Sequence, residues 1–181
     1  GHRDPGYLVD LSRRERITVV NFVPSMLRAF LEHPRAAGCS SIRRIISGGE
    51  ALSGELVQWC RETFPQASLH NCYGPTETAI NVTAWNCPDD ALPEVIPIGR
   101  QGANTQIYIL DALGRPVPRG MRGEIHIGGT QVARGYLARP DLTADRFVPD
   151  PFNPLPGARM YRSGDLGRHL ADGNIEYIGR A

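Results

Sequence analysis

The stretch that decides the fold is "RITVVNFVPSMLRAFL", residues 16–31, in which one pattern of apolar residues gives way to another. Its first half, residues 16–23, is rich in β-branched residues and stops at Pro24, which is typical of a strand. After the proline, apolar residues recur at helical spacing, at Met26, Leu27, Phe30 and Leu31. The pattern therefore predicts a strand followed directly by a helix.

The same strand-helix pattern repeats towards the C-terminus. "IRRIIS", residues 42–47, predicts a second strand, and "ASLHNCY", residues 67–73, predicts a third. The segment between them predicts a helix that Ser53 caps and Pro65 ends. Repeats of this length predict a parallel sheet with right-handed crossovers, in which ligands bind at the carboxyl ends of the strands.

The second half of the chain has a different pattern. Alternating residues in "TQIYILD" (105–111) and "GEIHIGG" (123–129) predict strands, and "GRHLADGNIEYIGR" (167–180) predicts a hairpin. The Asp172-Gly173 pair of that hairpin suits a tight two-residue turn. A short helical piece is expected around residues 142–147.

These patterns predict an α/β fold in two parts. Residues 1–98 form part of a layered strand-helix subdomain, and residues 99–181 form a small antiparallel, β-barrel-like subdomain. The chain begins without Met and stops as a hairpin finishes, so we expect an excerpt from a longer protein.

Composition excludes several classes of function. The 181 residues are 41% apolar and 22% charged, with a formal net charge of +1, so nothing favours binding to nucleic acid or to an anionic membrane. No apolar run approaches the roughly 20 residues of a membrane span. The four cysteines form no C-x-x-C pair, which favours free thiols in a reducing cytoplasm, with disulfides as the alternative: Cys39, Cys60, Cys72 and Cys87.

Two unusual segments follow the second and third predicted strands. In "SGGEA", residues 47–51, two glycines allow the backbone to approach a ligand closely, although a plain strand-to-helix turn is the commoner reason for such a pair. In "YGPTETA", residues 73–79, a stiffened bend is preceded by an aromatic ring and followed by hydroxyls and one carboxylate. Oxygen ligands of this kind suit Mg²⁺ and phosphate, and the ring suits a nucleobase. The alternative is a capped helix start in which the helix dipole favours Glu77.

A third segment, "YRSGDLG" at residues 161–167, places Asp165 after a Ser-Gly break. A carboxylate here can accept hydrogen bonds from both ribose hydroxyls, a role that acidic residues take in dinucleotide folds. The alternative is a simple turn residue.

Together and in this order, these segments resemble the amino-acid adenylation domain of nonribosomal peptide synthetases, within the adenylate-forming enzymes. The resemblance is carried by four segments, at residues 47–52, 71–79, 123–147 and 160–180: "SGGEAL", "NCYGPTETA", "GEIHIGGTQVARGYLARPDLTADRF" and "MYRSGDLGRHLADGNIEYIGR". It implies that an amino acid carboxylate attacks the α-phosphate of ATP, with Mg²⁺, to give aminoacyl-AMP and pyrophosphate. It also implies transfer of the aminoacyl group to a phosphopantetheine thiol on a partner peptidyl carrier domain.

The resemblance also implies roles for individual residues. Thr76 would contact the α-phosphate, and Glu77 would bind Mg²⁺, as the catalytic pair. The nucleotide would further contact Gly49, Glu50, Ala51 and Asn71 on its adenine side, Tyr73 by stacking, Asp165 at the ribose, and Tyr177 and Arg180 at the ribose and phosphates. The amino-acid pocket would be lined by Asn21, Ile46, Gly48, Cys72, Ile80 and Asn81.

Some parts that the family uses do not occur in this sequence. The phosphate loop, the hinge Asp, the mobile C-terminal subdomain and its catalytic Lys are absent. The sequence contains no Lys at all, and its basic residues other than His are all Arg. We therefore expect the isolated chain to be inactive without the missing N- and C-terminal parts of its domain. Two positions depart from the family pattern. Ser163 stands where the family usually has Thr and keeps the hydroxyl. Gln131 stands where the family usually has Gly, and we expect it to be peripheral to the site.

The substrate and the branch of the superfamily are less sharply indicated. Asn21 and Asn81 would suit a hydroxyl or amide, so a small polar amino acid such as threonine is expected. The alternatives are the core of an acyl- or aryl-acid–CoA ligase and a non-catalytic remnant.

Overall fold

The computed structural model describes residues 1, 4–88 and 90–181. They form two units, each with its own apolar core. The first unit comprises Gly1–Cys72 and Trp85–Ile96, and the second comprises Tyr73–Ala84 and Pro97–Ala181.

Three helices belong to the first unit: α1 (Pro5–Arg14), α2 (Pro24–Glu32) and α3 (Gly54–Thr63). Helix α3 begins where the sequence predicts, because the Ser53 hydroxyl accepts a hydrogen bond from the Leu56 N–H at 3.2 Å. Helix α1 was not expected from the sequence. Asp4 caps its N-terminus, and the Asp4 carboxylate accepts a hydrogen bond from the Gly6 N–H at 2.9 Å.

The strands of the first unit confirm the predicted parallel pairing. Strands β1 (Val19–Phe22), β2 (Arg44–Gly48) and β3 (Ser68–Tyr73) pair in parallel in that order. Their buried side chains pack against α2 and α3, where the rings of Phe30 and Phe64 lie 6.4 Å apart. Burying each such side chain contributes about 1.5–3 kcal/mol, so the apolar faces of these elements hold the strand ends in place.

The second unit is built on antiparallel strands. Strand β4 (Thr83–Asn86) is divided between the two units, and its first two residues belong to the second. The elements that lie wholly in the second unit are β5 (Arg100–Gln101), β6 (Thr105–Leu110), β7 (Gly123–Gly129), α4 (Pro140–Arg146), β8 (Phe147–Pro149), β9 (Arg159–His169) and β10 (Ile175–Arg180). The longer strands form a curled half-barrel in the order β10-β9-β7-β6, with β8 paired to β9. The predicted α/β fold class with an antiparallel barrel-like part is therefore confirmed.

Two local expectations differ from the structure. The Ser163-Gly164 break does not interrupt the chain, because pairing on both sides keeps β9 extended and Gly164 absorbs the irregularity with φ +73°. Five residues, 170–174, connect β9 to β10, rather than the two of the predicted tight turn. Leu170 and Asn174 still pair within this connection, and Gly173 takes the left-handed position at φ +87°.

Two negative findings concern the described residues only. All four cysteines are free thiols, and burial raises the pKa of Cys60 and of Cys87 to about 12. Over residues 1, 4–88 and 90–181, no helix has the length and apolar character needed to cross a membrane.

Candidate functional site

The "YGPTETAIN" segment forms a closed loop in the second unit. The Val82 N–H donates to the Tyr73 carbonyl at 2.8 Å, and the Ile80 N–H donates to the Pro75 carbonyl at 3.1 Å. A Cβ atom on Gly74 would lie 2.3 Å from the Ile80 carbonyl oxygen, so only glycine fits there. The bend is therefore a close backbone approach, and its 3₁₀ turn at Thr76–Thr78 replaces the capped α-helix start that the sequence left open.

The end of this loop is strained. Ala79 and Ile80 have φ values of +57° and +74°, in the left-handed region that β-branched residues avoid. Ile80 is also 60% exposed, although it is a large apolar residue. Strain of this kind costs of order 1–3 kcal/mol per residue and is concentrated at ligand sites, which makes the loop a candidate functional segment.

Gln131 supports the same loop, so the expectation that it is peripheral is wrong. Its side-chain amide donates to the Asn81 carbonyl at 3.3 Å and accepts from the Thr105 hydroxyl at 2.7 Å. Through these two hydrogen bonds, Gln131 connects the loop at Asn81 to Thr105 on β6.

Strand β9 carries Asp165 into contact with the ring of the loop. The Tyr73 hydroxyl donates to Asp165 Oδ2 at 2.6 Å, and Asp165 is only 5% exposed. Burial, followed by the hydrogen bond to Asp165, raises the pKa of Tyr73, so the phenol remains protonated. The Ser163 hydroxyl holds the backbone of Asp165, since it accepts from the Asp165 N–H at 3.0 Å and donates to the Ile125 carbonyl at 2.6 Å.

The other oxygen of Asp165 is the least satisfied polar atom of this cluster. Arg180 Nε lies 3.1 Å from Oδ1, but the approach lacks hydrogen-bond geometry, and this buried oxygen has no hydrogen-bond partner among the described residues. Arg180 donates instead to the Ser163 carbonyl, at 3.3 Å. A buried acceptor without a donor is costly, so Oδ1 fits a ligand that brings a hydroxyl, such as a ribose.

Two tyrosines surround Glu77, and no sequence motif indicates this role for either of them. The Tyr136 hydroxyl donates to Glu77 Oε1 at 2.6 Å, and the hydroxyls of Tyr136 and Tyr161 lie 3.3 Å apart. Burial raises the pKa of Glu77, but hydrogen bonds from the tyrosines and the charge of Arg180 outweigh it and hold that pKa below its usual value. Glu77 therefore stays an anion near neutral pH.

The donor set around Glu77 fits Mg²⁺ but not a metal held by protein alone. Among the described residues, no group of three or more His, Cys, Asp or Glu side chains is placed to hold an ion. Mg²⁺ commonly binds one or two carboxylates and completes its shell with substrate phosphates and water. A lone ionised Glu77 with oxygen-bearing neighbours meets that requirement.

The remaining predicted residues of the second unit lie around the same cluster. The ring of Tyr177 on β10 has its centroid 6.1 Å from that of Tyr73. Thr76 is exposed on the 3₁₀ turn next to Glu77. The structure thus brings Tyr73, Asp165, Tyr177 and Arg180 together, and the charge of Arg180 also reaches Glu77.

In the first unit, four predicted pocket residues share one face of the sheet. Asn21 pairs with Ile46 and Gly48 pairs with Cys72, while Ile46 and Gly48 are two residues apart on β2. A Cβ atom on Gly48 would lie 2.5 Å from the Cys72 carbonyl oxygen, so β2 and β3 require glycine at this point.

The predicted adenine-side residues lie at the carboxyl ends of the same strands. Asn71 is buried on the opposite face from Cys72, and Gly49 turns the chain with φ +87°. The Glu50 carboxylate accepts from the Ser25 N–H at 3.0 Å and from the Ser25 hydroxyl at 2.9 Å. That side chain is therefore engaged at the start of α2, and Ala51 beside it is exposed.

Comparison with known proteins gives the class to which this arrangement belongs. The family model described as "AMP-binding enzyme" matches residues 1–137, and the chain belongs to that family. Phosphinothricin tripeptide synthetase PhsB of Streptomyces viridochromogenes is 52% identical over 181 residues, which cover 99% of the chain and 15% of that protein. Tyrocidine synthase 3 of Brevibacillus parabrevis is 46% identical over 180 residues, covering 99% of the chain and 3% of that protein.

A solved structure gives the same result. PA1221, described as an NRPS protein containing adenylation and PCP domains, matches with a TM-score of 0.88 and 29% identity, covering 98% of this chain and 36% of that one. The resemblance to nonribosomal peptide synthetase adenylation domains is thereby confirmed. The chain spans well under half the length of each of these three relatives.

Proposed function

We propose that this chain is part of an adenylation domain that uses ATP to activate an amino acid as aminoacyl-AMP. The observation that carries the proposal is the buried Asp165 carboxylate. One oxygen accepts from the Tyr73 hydroxyl, and the other has the Arg180 ion pair but no hydrogen-bond partner among the described residues. Membership of the AMP-binding enzymes supports it.

The second unit would bind the nucleotide. Asp165 Oδ1 would accept a ribose hydroxyl, and the Tyr73 ring would stack on adenine, an interaction worth roughly 1–3 kcal/mol in nucleic-acid sites. Tyr177 and Arg180 would approach the ribose and phosphates. The Arg180 side chain is 76% exposed, so a ligand can reach it despite its contacts with Ser163 and Asp165. The observed contacts support these roles, because one cluster offers the Tyr73 ring, the Asp165 acceptor and the Arg180 cation.

The reaction would occur beside Glu77 and Thr76. An oxygen of the amino acid carboxylate bonds to the α-phosphorus as the bond from that phosphorus to the pyrophosphate oxygen breaks, and pyrophosphate leaves with the electron pair. Mg²⁺ held by Glu77 would neutralise the charge on the phosphates. Thr76, exposed on the turn, would donate its hydroxyl to an α-phosphate oxygen. Such catalysis depends on positioning and electrostatics rather than on covalent chemistry with the protein.

Residues of the first unit would contribute binding contacts. Gly49, Ala51 and Asn71 remain proposed for the adenine side. Glu50 would contribute there through its backbone, since its carboxylate is held by Ser25. The residues that we propose to contact the amino-acid side chain are Asn21, Ile46, Gly48 and Cys72 of the first unit, and Ile80 and Asn81 of the second unit.

A small polar amino acid such as threonine is the proposed substrate. Asn21 and Asn81 are exposed and offer amides for its hydroxyl. A site built to hydrogen-bond a hydroxyl rejects analogues without it strongly. The aminoacyl group would then pass to a phosphopantetheine thiol on a peptidyl carrier domain, in the cytoplasm.

The experiment that tests the proposal is ATP–pyrophosphate exchange with the full-length encoded protein. Exchange that depends on an α-amino acid such as threonine supports it. Equal stimulation by 3-hydroxybutanoate, which lacks the amino group, would favour an acyl-acid–CoA ligase. No exchange with any acid would favour a non-catalytic remnant.

A second arm of the same assay uses the 181-residue chain alone. We expect no measurable exchange, because losing even one comparable electrostatic donor typically costs about 10²–10³ in rate. Exchange at the rate of the full-length protein would contradict that expectation.

A further inference from the structure

The Glu77 carboxylate is held by a segment far away in the sequence. Besides the 2.6 Å hydrogen bond from the Tyr136 hydroxyl, the Ala133 N–H donates to the Glu77 carbonyl at 2.8 Å. Residues 133–136 therefore form hydrogen bonds with both the backbone and the side chain of Glu77. Such a double contact fixes the direction of a side chain that otherwise has three rotatable bonds.

The segment that holds Glu77 is itself fixed by hydrogen bonds and packing. The Tyr136 N–H donates to the Thr143 hydroxyl at 2.9 Å, and the Tyr136 ring packs edge-on against Phe147 with centroids 5.3 Å apart. Gly135 has φ +146°, and a Cβ atom there would lie 2.4 Å from Thr143 Cγ2. The position of the Tyr136 hydroxyl is therefore set by the packing of residues 135–147.

Tyr161 completes a chain of hydroxyls. The single proton of Tyr136 is used towards Glu77, so across the 3.3 Å contact the Tyr161 hydroxyl is the donor. Tyr161 is 5% exposed on β9, and its ring also packs on Phe147 at 5.1 Å. The hydroxyl chain thus leads from the core of the unit to the carboxylate.

These donors are neutral, which matters for a cation ligand. A Lys or Arg in the place of Tyr136 would hold the carboxylate equally well but would offset its charge. A phenol orients the carboxylate and leaves the negative charge available to a metal ion. Groups that hydrogen-bond a metal ligand in this way typically change metal affinity or activity by 10–100-fold when they are removed.

We propose that Tyr136, supported by Tyr161, is a positioning residue that orients the Glu77 carboxylate for Mg²⁺. The proposal rests on the proposed function, in which Glu77 binds that ion together with the nucleotide. It assigns to Tyr136 an effect on the metal dependence of nucleotide binding rather than on folding or on the ribose contact.

The test uses full-length protein with Tyr136→Phe and Tyr161→Phe substitutions, each of which removes one hydroxyl. The matched control is Tyr108→Phe, because the Tyr108 hydroxyl also donates to a carboxylate of the second unit, Asp150, at 3.2 Å. Three quantities are measured: the Mg²⁺ concentration at half-maximal ATP binding, the affinity for AMP without metal, and the melting temperature.

We expect Tyr136→Phe to raise the Mg²⁺ midpoint by about 10–100-fold, with metal-free AMP affinity unchanged. Tyr161→Phe should shift the midpoint in the same direction by less, and Tyr108→Phe should leave it unchanged. An unchanged Mg²⁺ midpoint in Tyr136→Phe would overturn the proposal, as would an equal loss of metal-free AMP affinity.

Should Tyr136→Phe fail to fold, Tyr161→Phe decides by the same two criteria. Failure of the proposed function looks different, because the unsubstituted protein would then bind neither AMP nor ATP with Mg²⁺. That result would remove the basis of the inference as well.

Discussion

Asp165 shows how a single residue can indicate a ligand. The Tyr73 hydroxyl bonds its carboxylate and the Ser163 hydroxyl bonds its backbone N–H, yet Oδ1 has no hydrogen-bond partner among the described residues. A hydrogen bond to a charged group is worth about 1.5–3 kcal/mol, and the ion pair with Arg180, 3.1 Å away, replaces only part of it in the unliganded protein. A ligand hydroxyl would recover that energy.

Asp165→Asn is therefore expected to weaken AMP binding by about tenfold or more, because the amide is a weaker acceptor than the carboxylate. Calorimetric titration with AMP measures the change. The matched control is Asp150→Asn, since Asp150 is also buried and also accepts from a tyrosine hydroxyl. Equal losses in the two variants would show that Asp165 acts through stability rather than through contact with the nucleotide.

At the scale of elements, the loop from Tyr73 to Val82 is a close backbone approach that depends on Gly74. Its carbonyl and amide groups pair across the loop, and the strained residues Ala79 and Ile80 lie at its end. Because Glu77 lies inside this loop, its position depends on the geometry of the whole loop.

Gly74→Ala is expected to destabilise the protein by about 1–3 kcal/mol, because the new methyl group meets backbone that cannot move aside cheaply. Denaturation with urea measures the loss. The control is Gly102→Ala, where a Cβ atom would make an ordinary contact, 3.6 Å from the Val82 carbonyl oxygen. Equal stability of Gly74→Ala and the unsubstituted protein would mean that the loop does not have the closed geometry described here.

The same scale shows what the sequence could and could not predict. Strands β1–β3 and helix α3 follow from local signals, such as β-branched runs and the Ser53 cap. Strand β9 contradicts its local signal, because the Ser163-Gly164 pair is typical of a break and only pairing with β7 and β10 keeps it extended.

Side-chain contacts between residues far apart in the sequence were even harder to predict. Tyr73 and Asp165 could be singled out because each lies in an unusual segment, and a shared ligand was expected for both. The bond between Glu77 and Tyr136 joins residues 59 apart in the sequence, and neither the spacing nor the composition around Tyr136 indicates it. Side-chain partners of this kind are set by tertiary packing.

At the scale of the whole molecule, the chain belongs to the AMP-binding enzymes and spans only part of the relatives it matches. Each of its two units has its own core and its own set of proposed ligand residues. The second unit contains all three groups proposed to contact the nucleotide and its metal ion: the Tyr73 ring, the Asp165 carboxylate and the Glu77 carboxylate. The central claim is therefore that one nucleotide contacts Tyr73, Asp165 and Glu77 together.

A crystal structure of the full-length protein with AMP and Mg²⁺ tests that claim most directly. We expect ribose hydroxyls within hydrogen-bond distance of Asp165, adenine against the Tyr73 ring, and the metal ion on the Glu77 carboxylate. A nucleotide bound elsewhere, with these three side chains left in their present contacts, would contradict it.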